Sequence, residues 1–183
     1  MTQKPQDGSI EEIILPENLT PLGSVLSEGI TPQEVSKILA EVFRVAQTEV
    51  ALLKLEGGLL KFIFPEYLRT TGAIPISSKA VAAHTALSKK PEIFNNFARV
   101  KHASIFESIK SANTDSNVLA VPAPIQKLMS VPILDRHSVV MGVIQISRKG
   151  LDGRHTQDFS REDLHDLELA AGVLAASAVM RES

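Results

Sequence analysis

The sequence predicts a single α/β domain of the α+β type: one central antiparallel sheet of five or six strands with helices on both faces. Three observations carry this. From Val139 to Ile146 both alternating sets of side chains are largely apolar, with Val140, Ile144 and Ile146 on one face and Val139, Met141 and Val143 on the other. Such a strand has to be covered on both faces. The runs Thr48 to Glu56 and Leu59 to Phe64 flank Gly57-Gly58, the pair a primed hairpin turn with positive φ favours. The stretch from Leu169 to Met180 is apolar on nearly every side of a helix apart from Ser177, so it requires burial on more than one side.

The elements follow in order. Residues 1–29 read as an irregular lead, punctuated by Pro5, Pro16 and Pro21, and residues 30–183 as the domain. A helix is predicted from Pro32 to Ala46. Thr31 caps it, Pro32 suits its first position, and Glu34 completes a capping box. Val35, Ile38, Leu39, Val42, Phe43 and Ala46 share its apolar face. The two-Gly hairpin comes next, then a helix from Ser78 to Ser88 that stops before Pro91. A short amphipathic helix around Ile105, Phe106 and Ile109 and a polar loop from Ser111 to Asn117 lead to Pro122 and Pro124. A second hairpin pairs Lys127–Leu134 with Val139–Lys149 through Asp135-Arg136-His137-Ser138. The final helix, Arg161 to Arg181, is capped by Ser160.

Composition excludes several function classes. The 183 residues carry 19 basic and 21 acidic side chains, a formal charge of -2 that gives no strong pull toward nucleic acid or an anionic membrane. Trp is absent and no stretch is read as exposed aromatics beside basic residues, so no stacking platform for single strands is expected. The chain has no cysteine, which removes thiolate metal sites and thiol catalysis and fits a reducing, cytoplasmic setting. Met1 to Ile14 is polar and acidic, without the apolar core of a signal peptide, and no apolar run spans a bilayer. Neither a P-loop nor a metal-ligand spacing is present, and neither metal nor cofactor is expected.

Few residues invite a chemical role. His84 falls between Val81 and Leu87 at helical spacing and reads as a partly buried histidine with a backbone partner. His137, His155 and His165 read as solvated. Asn95 and Asn96, flanked by Phe94 and Phe97, suit a cleft of polar amides beside apolar walls. They equally suit a turn in which Asn bonds its own backbone. No nucleophile-elbow pattern frames a serine, and the acids fall mostly at caps and on solvated helix faces, so no enzymatic activity is expected.

The chain resembles the GAF family. The segments Ser130-Val131-Pro132-Ile133-Leu134-Asp135-Arg136 and Gly142-Val143-Ile144-Gln145-Ile146 are similar to that family's signature hairpin. So are Asp158-Phe159-Ser160-Arg161-Glu162-Asp163-Leu164 to the entry into its last helix, and Lys89-Lys90-Pro91-Glu92-Ile93 to the segment after its second helix. The resemblance covers roughly Ile30 to Met180 and implies a GAF/PAS-like fold. Of the motif of cyclic-nucleotide-binding members, Asn-Lys, Phe and Asp-Glu, only Lys149, Phe159 and Asp163 match. Arg148 and Leu164 stand at the other two positions, which weakens a cyclic-nucleotide reading. Bilin-binding members and the family's methionine sulfoxide reductases need cysteines that this chain lacks.

The resemblance implies a small-molecule-sensing regulatory module. It places the pocket beside the segment from Phe94 to Pro124, with His102 either lining it or standing as a solvated loop residue, and Phe106, Met129 and Ser130 completing its wall. Core packing is the competing role for Phe106 and Met129. Lys149 and Asp163 are expected to approach each other, tying the last strand to the last helix. No output domain follows Ser183, so the signal is expected to pass to a separate protein. A homodimer through the terminal helices is expected to bury Leu169, Val173 and Met180. The alternative is that Ile13, Ile14 and Leu15 fold back over the last helix. The competing function is a dimeric interaction module with a vestigial pocket.

Overall fold

Reciprocal capping by Thr31 and Glu34 starts the first helix, with Glu34 N donating to Thr31 Oγ1 at 3.2 Å and Thr31 N donating to Glu34 Oε2 at 2.8 Å. The computed structural model, which describes residues 14–70, 72–97 and 123–181, shows α1 as Pro32–Phe43. It ends before Ala46 because Arg44 adopts the left-handed conformation, φ 53 and ψ 48. Ala46 instead heads a short 3-10 turn, its N–H bonded to Glu49 Oε2 at 2.8 Å.

The strands β1 (Val50–Glu56) and β2 (Leu59–Phe64) form the expected hairpin, with Gly57 at φ 57 and Gly58 at φ 76. Then follow β3 (Ala73–Pro75), α2 (Val81–Ser88), β4 (Glu92–Phe94), β5 (Ile125–Leu134) and β6 (Val140–Lys149). The six strands pair antiparallel in the order β3-β2-β1-β6-β5-β4. Helix α3 (Arg161–Ala176) and α1 share one face of this sheet, while α2 covers the other. No helix among the described residues is long and apolar enough to cross a membrane.

Three expectations are corrected. The first concerns β6. Ile133 pairs with Gly142 but Leu134 with Val140, so Met141 is an extra, bulged residue. A bulge reverses the alternation beyond it. Val140 therefore packs with Val143 on the α2 side, and Met141 joins Ile144 and Ile146 on the α1/α3 side. Next to the bulge, Gly142 lies so close to β1 that a Cβ would overlap the Leu53 carbonyl.

The second correction concerns the lead. Residues Glu17–Leu26 form a 3-10 helix, not an irregular segment, and bury Leu19, Leu22 and Val25 completely against α1 and α3. Asn18 Nδ2 donates to Asp166 Oδ2 of α3 at 2.8 Å. Of the residues expected to fold back, Leu15 packs partly on the core, Ile14 is 90% exposed, and Ile13 lies outside the described residues.

Third, the final helix is not continuous. Ser177, at φ -78 and ψ 156, separates α3 from the short α4 (Ala178–Arg181), and its hydroxyl bonds Leu174 O at 2.7 Å. Val173 is 1% and Met180 2% exposed within one chain. The argument that these two side chains need a second subunit loses its basis, because the core and the lead already cover them.

Candidate functional site

On its α2 side the sheet is apolar, with Ala51, Leu53, Phe62, Leu128 and Val143 buried there. One row of polar residues crosses it. Glu92 of β4 pairs with Ser130 of β5, which pairs with Gln145 of β6. Thr85 of α2 descends on this row. Its hydroxyl donates to Val81 O at 2.9 Å and contacts Ser130 Oγ at 2.7 Å. Both residues are fully buried. Gln145 Nε2 donates to Ser130 Oγ at 3.1 Å.

A hydroxyl has one proton to give, and this fixes the direction of every bond in the chain. Thr85 gives its proton to Val81 O, so Ser130 must give its own to Thr85. Ser130 can then only accept from Gln145. The Gln145 amide nitrogen is thereby held toward Ser130, and its Oε1, on a half-buried side chain, has no partner among the described residues. At the other end of the row Glu92 Oε1 lies 3.4 Å from His84 Nε2, and Glu92 Oε2 is buried without a hydrogen bond. His84 is exposed and faces this carboxylate, not a backbone group as expected.

The expected pocket residues separate. Phe94 and Phe97 pack on the α2 side, edge to face with centroids 6.5 Å apart. Ser130 shares that side. Met129, one residue earlier on a period-two strand, is fully buried in the opposite core and lines no pocket with Ser130. His102 and Phe106 lie outside the described residues.

The Asn95 side chain does not bond its own turn but the backbone of Phe159. Its Nδ2 donates to Phe159 O and its Oδ1 accepts from Phe159 N, both at 2.9 Å. Its own carbonyl accepts from Lys127 Nζ at 2.6 Å, and the same ammonium pairs with Asp158 Oδ1 at 2.6 Å. Asn96 is exposed and lines a polar edge cleft with Asn95, Gln126, Lys127, Arg154 and Gln157. The Arg154 backbone N–H bonded to Asp152 in this cleft holds that carboxyl below its ordinary range, helped by His155.

The expected Lys149–Asp163 contact is replaced. Lys149 Nζ donates to Thr48 O at 2.9 Å, and Asp163 closes the α3 capping box on Ser160 N at 2.7 Å. Alternation explains this, since Lys149 projects to the side of the sheet away from α3. Arg148, one residue earlier, projects toward α3. Its guanidinium lies 4.1 Å from the Phe159 ring centroid and its Nη1 donates to Gln157 O and Asp158 O at 3.1 and 2.8 Å.

Sequence reasoning found Ser130 but missed Thr85, Glu92 and Gln145. The available signal was a polar residue interrupting an apolar strand at paired positions: Ser130 between Met129 and Val131, and Gln145 between Ile144 and Ile146. Among the described residues no group of three or more His, Cys, Asp or Glu side chains could hold a metal ion.

Comparison with known proteins agrees with this architecture. The chain is similar to the GAF domain of an Acinetobacter phosphoenolpyruvate-protein phosphotransferase, with TM-score 0.63 and 14% identity over 92% of this chain and 95% of that one. It is also similar to the A. Aeolicus nlh2 GAF domain in an inactive state, with TM-score 0.60 and 15% identity over 90% and 95%. A type II free methionine-R-sulfoxide reductase from Thermoplasma acidophilum is a further neighbour, with TM-score 0.55 and 16% identity over 82% and 89%. At these identities the likeness is one of fold. No curated protein matches the chain. The profile described as GAF domain matches residues 32–178, and the chain belongs to the GAF domain family.

Proposed function

We propose that this protein is a small-molecule-sensing regulatory module that binds its ligand over the α2 side of the sheet and acts on a separate partner protein. The observation that carries the reading is the Glu92–Ser130–Gln145 row, a line of polar groups across an apolar sheet face with hydrogen-bonding capacity left at both ends. An apolar wall with a few fixed polar groups is the usual make-up of a ligand site. Because Thr85 bonds Ser130, a ligand engaging Gln145 sits one hydrogen bond from the strand–helix contact. It would shift the packing of α2, which is how a ligand biases one conformation of a regulator. The reading is of binding and not catalysis: the Ser130 proton is committed to Thr85, so the hydroxyl is not aligned on a base as a nucleophile would be.

The competing reading is an interaction module with a vestigial pocket. It is favoured by the complete burial of Thr85 and Ser130, which leaves Gln145 as the accessible polar end on the β6 side. The test is native mass spectrometry of the protein purified from its own host, followed by two-dimensional NMR of the side-chain amides. A recurrent bound metabolite whose removal and return shift the Gln145 amide signals supports the sensor. Ligand-free protein from every growth condition, with a Gln145 amide indifferent to a metabolite library, sinks it.

A further inference from the structure

We infer that the polar edge cleft is a second binding site, for a small organic acid whose carboxylate takes the place of Asp158 on Lys127; this goes beyond the reading of the α2 side and does not depend on it. The cleft has a volume of about 980 Å³ and is lined by residues from the end of β4, the start of β5 and the loop between β6 and α3. One of them is a buried cation. The Lys127 side chain is 9% exposed, and its ammonium has two partners at 2.6 Å, the Asn95 carbonyl and Asp158 Oδ1. The Asp158 side chain, by contrast, is 66% exposed.

A desolvated ammonium needs a counter-charge, and here the counter-charge is exchangeable. The loop around Asp158 is fixed without that side chain: the Asp158 carbonyl accepts from Arg148 Nη1, and Asn95 clamps the Phe159 backbone beside it. The exposed carboxylate can therefore turn into water while the loop stays in place, and a ligand carboxylate can replace it. The third N–H donor of the ammonium has no partner among the described residues. Arg154 meets Asp152 Oδ1 only at 3.7 Å, through Nε, so its terminal nitrogens are open to the second oxygen of a carboxylate. Asn96 and Gln157 bring side-chain amides that have no partner among the described residues and suit hydroxyl or carbonyl groups elsewhere on the ligand. Asp152 does not compete for these donors, because its oxygens are engaged by Arg154 N and His155 Nδ1. Its charge, with that of the displaced Asp158, favours a monoanion over a dianion. No aliphatic or aromatic side chain among the described residues lines the cleft, so an apolar ligand finds no wall there.

The experiment titrates lactate, its neutral counterpart lactamide and inorganic phosphate into full-length protein at neutral pH and constant ionic strength. The readouts are the backbone amides of Asn96 and Arg154 and the side-chain amide of Gln157. Lactate is expected to move them saturably, with the other two probes at least tenfold weaker. A tethered carboxylate competes at the effective concentration of a linked group. Asp158→Asn, which keeps an oxygen for Lys127 but removes the charge, is therefore expected to bind lactate at least tenfold tighter. Arg154→Ala keeps its backbone bond to Asp152 and is expected to bind lactate at least threefold more weakly with the melting temperature held. The inference is overturned by equal binding of lactamide, by tighter binding of phosphate, by lactate affinity that does not rise in Asp158→Asn or does not fall in Arg154→Ala, or by signals that no probe moves. None of these results bears on the α2 side, which is judged on the Gln145 amide.

Discussion

Asn95 and Phe159, 64 residues apart, exchange two hydrogen bonds of 2.9 Å, so the amide of one side chain stands in for a strand partner to the backbone of the other. The bond pair fixes the residue before the Ser160 cap and so sets where α3 begins. Replacing Asn95 with Ala removes both bonds and leaves a partly buried N–H and C=O unpaired. The expected loss is about 1–3 kcal/mol in urea unfolding. Asn95→Asp is expected to be no better than Ala, because it sets a carboxylate oxygen against the Phe159 carbonyl. Wild-type stability in Asn95→Asp would refute the role.

The strand-to-helix tie is predicted to be specific to Arg148. Arg148→Ala loses the stacking on Phe159 and the bonds to Gln157 and Asp158, at a cost of about 0.5–2 kcal/mol. Lysine does not restore the planar contact, so Arg148→Lys should recover little. The Phe159 ring resonances should move in both Arg148 variants and stay in place in Lys149→Ala. Movement in Lys149→Ala equal to that in Arg148→Ala would argue against this assignment.

The proton order at the polar row makes a coupling prediction. Thr85→Val leaves the Ser130 hydroxyl without its acceptor, and Ser130→Ala leaves Gln145 without its own. Each should cost about 1–3 kcal/mol. The double variant should cost less than the sum, with a coupling of about 0.5–3 kcal/mol. Strict additivity in chemical denaturation would mean that the 2.7 Å contact contributes no energy.

Val173→Glu places a carboxylate in the core shared by α1, α3 and the lead. The expected result is a loss of more than about 4 kcal/mol, the size that an unpaired buried charge produces, seen as collapsed cooperativity in circular dichroism. Leu19→Ala should lose about 2–5 kcal/mol, the same range as a core position in a strand. A folded Val173→Glu protein, whatever its oligomeric state, would contradict the burial of this residue.

The second hairpin should loosen in acid. The Val139 N–H, followed by that of His137, bonds Asp135 and holds its carboxyl below the ordinary range. The native value is the lower one, so the contribution of these bonds is complete above the unfolded value, about 3.9, and is lost as pH falls through the native one. The Val139 amide resonance should titrate with a midpoint below about 3.9, and Asp135→Asn should abolish that titration. A midpoint at or above the ordinary value would count against the turn geometry.

Local features of the fold were readable from the chain. The first hairpin needs only two glycines and the runs beside them, and the first helix only Thr31, Pro32 and Glu34. Features set by a partner were not. The bulge at Met141 depends on the register β5 imposes, so strict alternation put Val140 and Met141 on the wrong faces. The break at Ser177 interrupts an apolar pattern that runs straight through it. Pro21 sits on the exposed side of a 3-10 helix that buries only Leu19, Leu22 and Val25, which an irregular reading of a Pro- and Gly-punctuated segment passes over.

The candidate site was legible in part for the same reason. Ser130 and Met129 were both named through the family resemblance, and neighbours on a strand face opposite ways, so Met129 takes the core role that competed for it. Asn95 was recognised as unusual, but its partner lies 64 residues away. Lys149 was named for the contact that Arg148 makes, an error of one residue that amounts to a whole sheet thickness.

The 3-10 lead has a consequence for assembly. Leu19, Leu22 and Val25 are tethered to the surface they occupy, so they compete for it at the effective concentration of a linked segment. A second copy of the chain, or any partner that docks on the same strip of α1 and α3, has to displace them first. Its apparent affinity is reduced by the fraction of time the segment spends seated. Association through that face is therefore an exchange reaction, and loosening residues 17–26 would strengthen it without altering a single residue of the docking strip.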